Sequence, residues 1–231
     1  MTQIFAHRGA SRVFKENTLE AFEHAETLGA GWVELDVWLS KDGILTIHHD
    51  LVLESGENIT ESSYSSFPDD VPTLQDVLTS TSDVGINVEV KTQNNLILDV
   101  TTRRLIDELS QLLEDVGGSR EFLVSSFNFT CLSYFREKSP NTPVGFLVWE
   151  LDDDWESLIA EAANSDFQAI HPANAIVSRD FVAACKERNI DVNVWTVNDK
   201  GRMEELIDFG VDGVITDFPD VASEVVKGRD G

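Results

Sequence analysis

Cysteine is scarce in the 231-residue chain, where Cys131 and Cys185 are the only two. Each stands in an apolar, helix-like context and is expected as an unpaired buried thiol, which leaves no basis for a disulfide framework or a cysteine metal site. Long hydrophobic runs are missing as well. No stretch approaches the roughly 20 apolar residues that a membrane-spanning helix needs, so stable membrane insertion is not expected. Met1-Thr2-Gln3-Ile4 enters a strand-like run without a charged and apolar leader, and the expected location is cytoplasmic. Positive charge is the third shortage: 17 Lys and Arg stand against 42 Asp and Glu, a net charge of −25. Nucleic acid is therefore excluded as an expected partner.

The acidity is spread along the chain, with Asp152-Asp153-Asp154 as a run expected on solvated surface. Such a balance resembles proteins of extreme halophiles and speaks to solubility, not to fold. Self-repulsion at −25 is screened by counterions over about 10 Å at 0.1 M salt. The thermal midpoint is therefore expected to rise with KCl into the molar range; a flat or falling midpoint contradicts this reading. The 42% hydrophobic and 9% aromatic content supplies a large core and suits one domain over residues 1–231.

Chemistry concentrates in Glu34-Leu35-Asp36-Val37-Trp38-Leu39-Ser40-Lys41-Asp42-Gly43-Ile44-Leu45-Thr46-Ile47-His48-His49. Asp42-Gly43 between two β-rich runs predicts a hairpin with a two-residue type I′ turn. That turn sets Trp38 across from Ile47 and Asp36 across from His49, so Glu34, Asp36 and His49 share a face and His48 points away. A bulge would exchange the two histidines. Two carboxylates and an imidazole on one face are costly to bury unless they hold a metal or do chemistry; the alternative is an exposed polar face.

Around the hairpin, strand and helix patterns alternate. Strands are predicted to begin at Ile4, Trp32, Ile86, Phe122, Val144, Ala169, Val192 and Gly213. Helices fall near 17–28, 73–78, 96–115, 128–138, 154–164, 178–188 and 200–209, and residues 51–72 show no usable period. Eight alternations predict a (β/α)8 TIM barrel with the hairpin as an extension after the second strand; a doubly wound sheet is the other architecture of this kind. His7, Arg8, Glu34, Asp36, Glu89, Lys91, Ser126, His171, Trp195, Thr196 and Asp217 lie at or near the C-terminal ends of seven strands, and in a barrel those ends form one active-site face.

Glu34, Asp36 and Glu89 offer only oxygen ligands, which suit a hard divalent cation such as Mg²⁺ or Ca²⁺. Arg8 and Lys91 can contact phosphate, and His7 and His49 can act as acid and base near neutral pH. Bland readings stand beside these: His7 bonded to a backbone carbonyl, Lys91 in a structural ion pair, Trp195 as core instead of substrate platform, and His171 as either. His24 is expected on the surface.

His7-Arg8-Gly9, Glu16-Asn17-Thr18, Glu34-Leu35-Asp36, Lys41-Asp42-Gly43, His49-Asp50, Pro72-Thr73-Leu74, Glu89-Val90-Lys91, Trp195-Thr196-Val197-Asn198 and Gly213-Val214-Ile215-Thr216-Asp217 together resemble the signature set of the glycerophosphodiester phosphodiesterases. The resemblance runs end to end. It implies a TIM barrel and a divalent metal, with hydrolysis of a small glycerophosphodiester to an alcohol and sn-glycerol 3-phosphate. It also implies His7 and His49 as the acid/base pair, Glu34, Asp36 and Glu89 as metal ligands, and Arg8 and Lys91 as phosphate contacts. Leu53-Glu54-Ser55-Gly56 departs from the Arg-Thr-Thr-like run that members often carry, and the 51–72 loop is short beside the family's larger insertion. The mechanism so implied passes through a cyclic phosphate, with direct attack by water as the alternative; the sequence does not say which histidine begins. A lysophospholipase D or phospholipase C-like enzyme of the same barrel class is the first rival, and a non-catalytic binding protein the second.

Overall fold

Strand and helix alternate through the computed structural model, which describes residues 1–81, 84–116, 120–151 and 154–229. In chain order the elements are β1 (Gln3–His7), α1 (Leu19–Thr27), β2 (Trp32–Leu39), β3 (Leu45–Ile47), α2 (Leu74–Ser80), β4 (Gly85–Val90), α3 (Val100–Val116), β5 (Phe122–Ser126), α4 (Phe129–Lys138), β6 (Val144–Val148), α5 (Trp155–Asn164), β7 (Ala169–Pro172), α6 (Arg179–Glu187), β8 (Asp191–Val194), α7 (Lys200–Phe209), β9 (Gly213–Thr216) and α8 (Pro219–Lys227). The Asp152-Asp153 part of the acidic run lies outside the described residues.

The strands pair in parallel in the order β1-β9-β8-β7-β6-β5-β4-β2, and β1 also pairs with β2. That last pairing closes the ring and gives the (β/α)8 barrel; a doubly wound sheet would leave two open edges. Closure explains why the strands are buried on both faces. On β2, Val33, Leu35 and Val37 face the helices while Trp32, Glu34 and Asp36 face the barrel interior, and all but Trp32 are buried. The core lies between strands and helices, with Leu105, Ile106 and Leu109 of α3 and Phe22 of α1 among its members. Cys131 and Cys185 are free and buried there. Among the described residues no helix is long and apolar enough to cross a membrane.

Helix starts follow side-chain caps. Thr18 accepts from the Ala21 N–H, and Thr73 forms a reciprocal capping box with Asp76 that starts α2. The 51–72 segment, without period in the sequence, wraps a small apolar cluster of Trp38, Leu53, Ile59, Phe67 and Val71 using two short 3₁₀ turns, Ile59–Glu61 and Tyr64–Ser66.

The hairpin differs from expectation by one residue. Val37 pairs with Ile47, Trp38 with Thr46 and Leu39 with Leu45, and the His48 N–H donates to the Asp36 carbonyl at 3.1 Å. His48, not His49, therefore lies across from Asp36. Type I′ geometry needs positive φ at both central residues, but here Gly43 has φ +91° while Asp42 stays outside that region. The Asp42 carboxylate accepts from the Ser40 hydroxyl at 2.7 Å and from the Tyr64 N–H at 3.0 Å. The connection is thus the three-residue Lys41-Asp42-Gly43, closed by Gly43 N–H to Ser40 carbonyl at 3.0 Å, and the extra residue shifts the register.

One barrel-interior contact yields a stability prediction. A Cβ at Gly145 on β6 would stand 2.4 Å from Nε2 of His171 on β7 and 2.8 Å from two of its ring carbons. Overpacking of this kind costs about 1–3 kcal/mol, so Gly145→Ala should lower the thermal midpoint by several degrees. A midpoint unchanged within error in differential scanning calorimetry contradicts the packing account.

Candidate active site

Neighbouring strands β2 and β4 bring Glu34, Asp36 and Glu89 together: one carboxylate oxygen from each lies within 4.8 Å of the others, and all three residues are buried. Strand register enforces this, because Asp36 and Glu89 are direct partners across the β2–β4 ladder. Three buried carboxylates repel one another and lose hydration. Burial first, and then the charge of Asp36, pushes the Glu34 carboxyl up to about 8, and the same two causes raise Glu89. Asp36 moves the other way: burial raises it, but Lys91 and Arg8, with the Asn17 amide, outweigh that and lower its pKa. A hard divalent cation fits this donor set, since all three ligands are oxygens and the Glu34 and Glu89 carboxyls stay raised in spite of the neighbouring Lys91 and Arg8.

The two predicted phosphate contacts flank the carboxylates. Lys91 Nζ lies 2.7 Å from Glu89 and 3.0 Å from Asp36. Arg8 reaches Glu16 through Nη1 at 2.9 Å and Asp36 through Nε at 3.3 Å, while its backbone N–H donates to Glu34 at 3.0 Å. Both cations are thus held by carboxylates.

The two candidate acid/base histidines occupy different environments. His7 Nδ1 lies 2.6 Å from Asp217 Oδ1, and the second Asp217 oxygen accepts from Asn198 at 2.6 Å. Burial raises the Asp217 carboxyl, but the bonds from His7, Asn198 and Ser11 outweigh it and hold it below the usual range. An ionised carboxylate can only accept, so Nδ1 carries the hydrogen, and among the described residues no hydrogen bond holds Nε2. For His7, burial opposes protonation, yet the Asp217 bond and the Glu34 charge prevail and raise its pKa. His49 is lowered, by burial first and then by Lys91.

His49 reaches the site in spite of the shifted register. The ladder ends at Ile47, so strand alternation no longer governs residues 48 and 49. The Trp38 indole N–H donates to the His49 carbonyl at 3.1 Å, and His49 lines a cleft of about 240 Å³ together with Glu89, Lys91, Asn95 and Phe127. His48 turns its Nδ1 to the Asp50 carbonyl at 2.8 Å.

Two further candidates resolve differently. His171 is fully buried in the barrel, where Asn193 donates to its Nε2 at 3.0 Å and burial pushes its pKa down to about 3; it is a neutral structural residue. The Trp195 indole N–H is committed to the His171 carbonyl at 2.6 Å, which leaves only its ring for a ligand. Asn17 carries a role that the sequence reading did not assign: at φ +57° and 3% exposed, its amide donates to Asp36 at 2.8 Å. Its signal was a polar residue just before a helix cap, a pattern that capping alone explains. Trp149, 63% exposed beyond β6, was also passed over.

Comparison with known proteins bears on the family and the fold. The model of the glycerophosphoryl diester phosphodiesterase family matches residues 7–63 and 52–221. A glycerophosphodiester phosphodiesterase of Caldanaerobacter subterraneus subsp. tengcongensis is 29% identical over 248 residues, covering 98% of both chains. The crystal structure of a glycerophosphodiester phosphodiesterase from Thermotoga maritima shares 28% identity and superposes with a TM-score of 0.81, covering 97% of this chain and 98% of that one. An Oleispira antarctica phosphodiesterase, solved with the product sn-glycerol-3-phosphate, has the same fold at a TM-score of 0.88 and 24% identity, covering 98% and 97%. With the family model spanning nearly the whole barrel, the chain belongs to the glycerophosphoryl diester phosphodiesterase family.

Proposed function

We propose that the protein hydrolyses small glycerophosphodiesters to an alcohol and sn-glycerol 3-phosphate, using a divalent cation, Mg²⁺ or Ca²⁺, held by Glu34, Asp36 and Glu89. The observation that carries the reading is the buried three-carboxylate cluster at the barrel mouth, flanked by two cations and by two imidazoles, His7 at the end of β1 and His49 just after β3. When bound, the cation supplies Lewis-acid stabilisation of charge on the phosphodiester. Arg8 and Lys91 bind and orient the phosphate oxygens. His49, whose lowered pKa keeps it neutral, takes the proton of the glycerol 2-hydroxyl. His7, whose imidazolium is favoured by the Asp217 contact, gives its Nε2 proton to the departing alcohol. The cyclic phosphate so formed is opened by water with the two histidines in reversed roles. Phosphorus NMR of a single turnover tests the route: a transient cyclic glycerophosphate supports it, and glycerol 3-phosphate appearing with no cyclic species under conditions that trap it favours direct attack by water.

The histidine assignment predicts a bell-shaped pH dependence of kcat/KM. The ascending limb, set by His49, falls below the ordinary imidazole value of about 6.5, and the descending limb, set by His7, above it. Asp217→Asn removes the negative charge that favours the His7 imidazolium, so the descending limb should move to lower pH. A limb that stays in place or moves up contradicts the assignment.

A lysophospholipase D activity is favoured by one observation. Leu96 and Ile97, in the connection from β4 to α3, and Val100, the first residue of α3, are 87%, 56% and 82% exposed. Assaying a lysophospholipid beside glycerophosphodiesters decides between the two, and turnover of either excludes the non-catalytic alternative.

A further inference from the structure

Beyond the carboxylate cluster, the barrel mouth carries a wall of three aromatic rings. Phe127 follows β5 and lines the cleft that holds His49, Glu89 and Lys91. Its ring meets that of Trp195, which follows β8, edge to face at 5.4 Å and 86°. The Trp195 ring lies 5.1 Å from that of Trp149, which follows β6. The wall therefore climbs from the catalytic cleft to the rim, where Trp149 is 63% exposed. Trp195 is locked in place, because its N–H is bonded to the His171 carbonyl and its own carbonyl accepts from the Asn174 N–H.

Ring faces carry negative potential and attract cations, quaternary ammonium groups above all. The cation–π contacts formed within the protein, among the described residues, use Phe218, Tyr134 and Phe209. The three wall rings are not among them. Glu150, next to Trp149 in the chain, is exposed. The basic side chains of the site, Arg8 and Lys91, are engaged with Glu16, Asp36 and Glu89.

Resting on the phosphodiesterase reading, we propose that Phe127, Trp195 and Trp149 form the subsite for the departing alcohol and select one bearing a quaternary ammonium, a choline-type group. The carboxylate cluster on the floor takes the glycerol phosphate end, so the alcohol extends toward the mouth along the wall. Trp149, at the rim, is then a specificity-determining residue that takes no part in proton transfer.

The test compares kcat/KM for glycerophosphocholine, glycerophosphoglycerol and an uncharged isostere in which 3,3-dimethylbutanol replaces choline. The wild-type protein should favour the choline diester over both others by about five- to thirty-fold, the range that cation–π attraction supplies between exposed and desolvated sites. Trp149→Leu, which keeps apolar area without the ring, should lower kcat/KM for the choline diester more than for the other two and so erase most of that preference; Trp149→Phe should retain much of it. Equal turnover of the choline diester and its uncharged isostere, or an equal loss on all three substrates in Trp149→Leu, overturns the subsite while leaving the enzyme assignment intact. Absence of turnover on every diester with metal present overturns the assignment itself.

Discussion

Replacing His49 by alanine should lower kcat by roughly 10² to 10⁴, the usual contribution of a positioned acid/base group, whereas His48→Ala should stay within a few-fold of wild type. The neighbours differ because the chain leaves the β2–β3 ladder at Ile47. Trp38 then anchors the His49 carbonyl, so the His49 ring enters the cleft with Glu89 and Lys91, while His48 bonds the Asp50 backbone. Circular dichroism and metal affinity must first show that both variants are folded. A dead His48→Ala beside an active His49→Ala contradicts the site.

Glu34→Gln should abolish turnover and yet leave the metal-free protein as stable as wild type or more so. With the cation absent, Glu34 is the carboxyl that burial and Asp36 disfavour most, pushed up to about 8 from an ordinary value near 4.5. A carboxyl raised on folding gives stability that is present below its unfolded pKa and lost as pH rises through the folded one. The metal-free wild type should therefore weaken between about pH 4.5 and 8, and the glutamine variant should lack the Glu34 share of that decline, keeping only what the raised Glu89 carboxyl contributes. The Arg8 N–H that bonds Glu34 can still be accepted by a glutamine carbonyl. Turnover should fall by roughly 10³ or more, since a Lewis acid contributes several kcal/mol. Titration calorimetry for metal and thermal midpoints in chelator check the two halves; a destabilised metal-free variant with intact turnover contradicts both.

Much of the site was legible because the polar residues stand on or just after strands that otherwise read as apolar. Once eight strands are counted, His7, Asp36 and Glu89 must share one mouth, and strand closure alone brings Asp217 to His7 from 210 positions away. The hairpin register was not legible. A type I′ turn and a three-residue loop both end in glycine, and the choice between them rests on Asp42 bonding Ser40 and Tyr64, the latter 22 residues on. The small core under residues 51–72 escaped for a related reason, because irregular chain carries no period and its apolar residues meet only around Trp38. Leu98, read as part of a helix, lies before α3, which begins at Val100. Helix α8 drew no reading, although Pro219 occupies its first turn. Trp149 was missed because one aromatic at a strand end means core or ligand wall equally; only its exposure and its ring contact with Trp195 separate the two.

The central claim is metal-dependent cleavage of a glycerophosphodiester at the carboxylate cluster. Its most direct test is the rate of sn-glycerol 3-phosphate release from glycerophosphocholine by protein stripped with chelator, measured before and after Mg²⁺ or Ca²⁺ is restored in KCl-containing buffer. The account predicts no release from the stripped protein, recovery with one of the two cations, and no recovery in Glu34→Gln. Full release from a thoroughly demetallated sample, or none from the wild type with either cation, would contradict it.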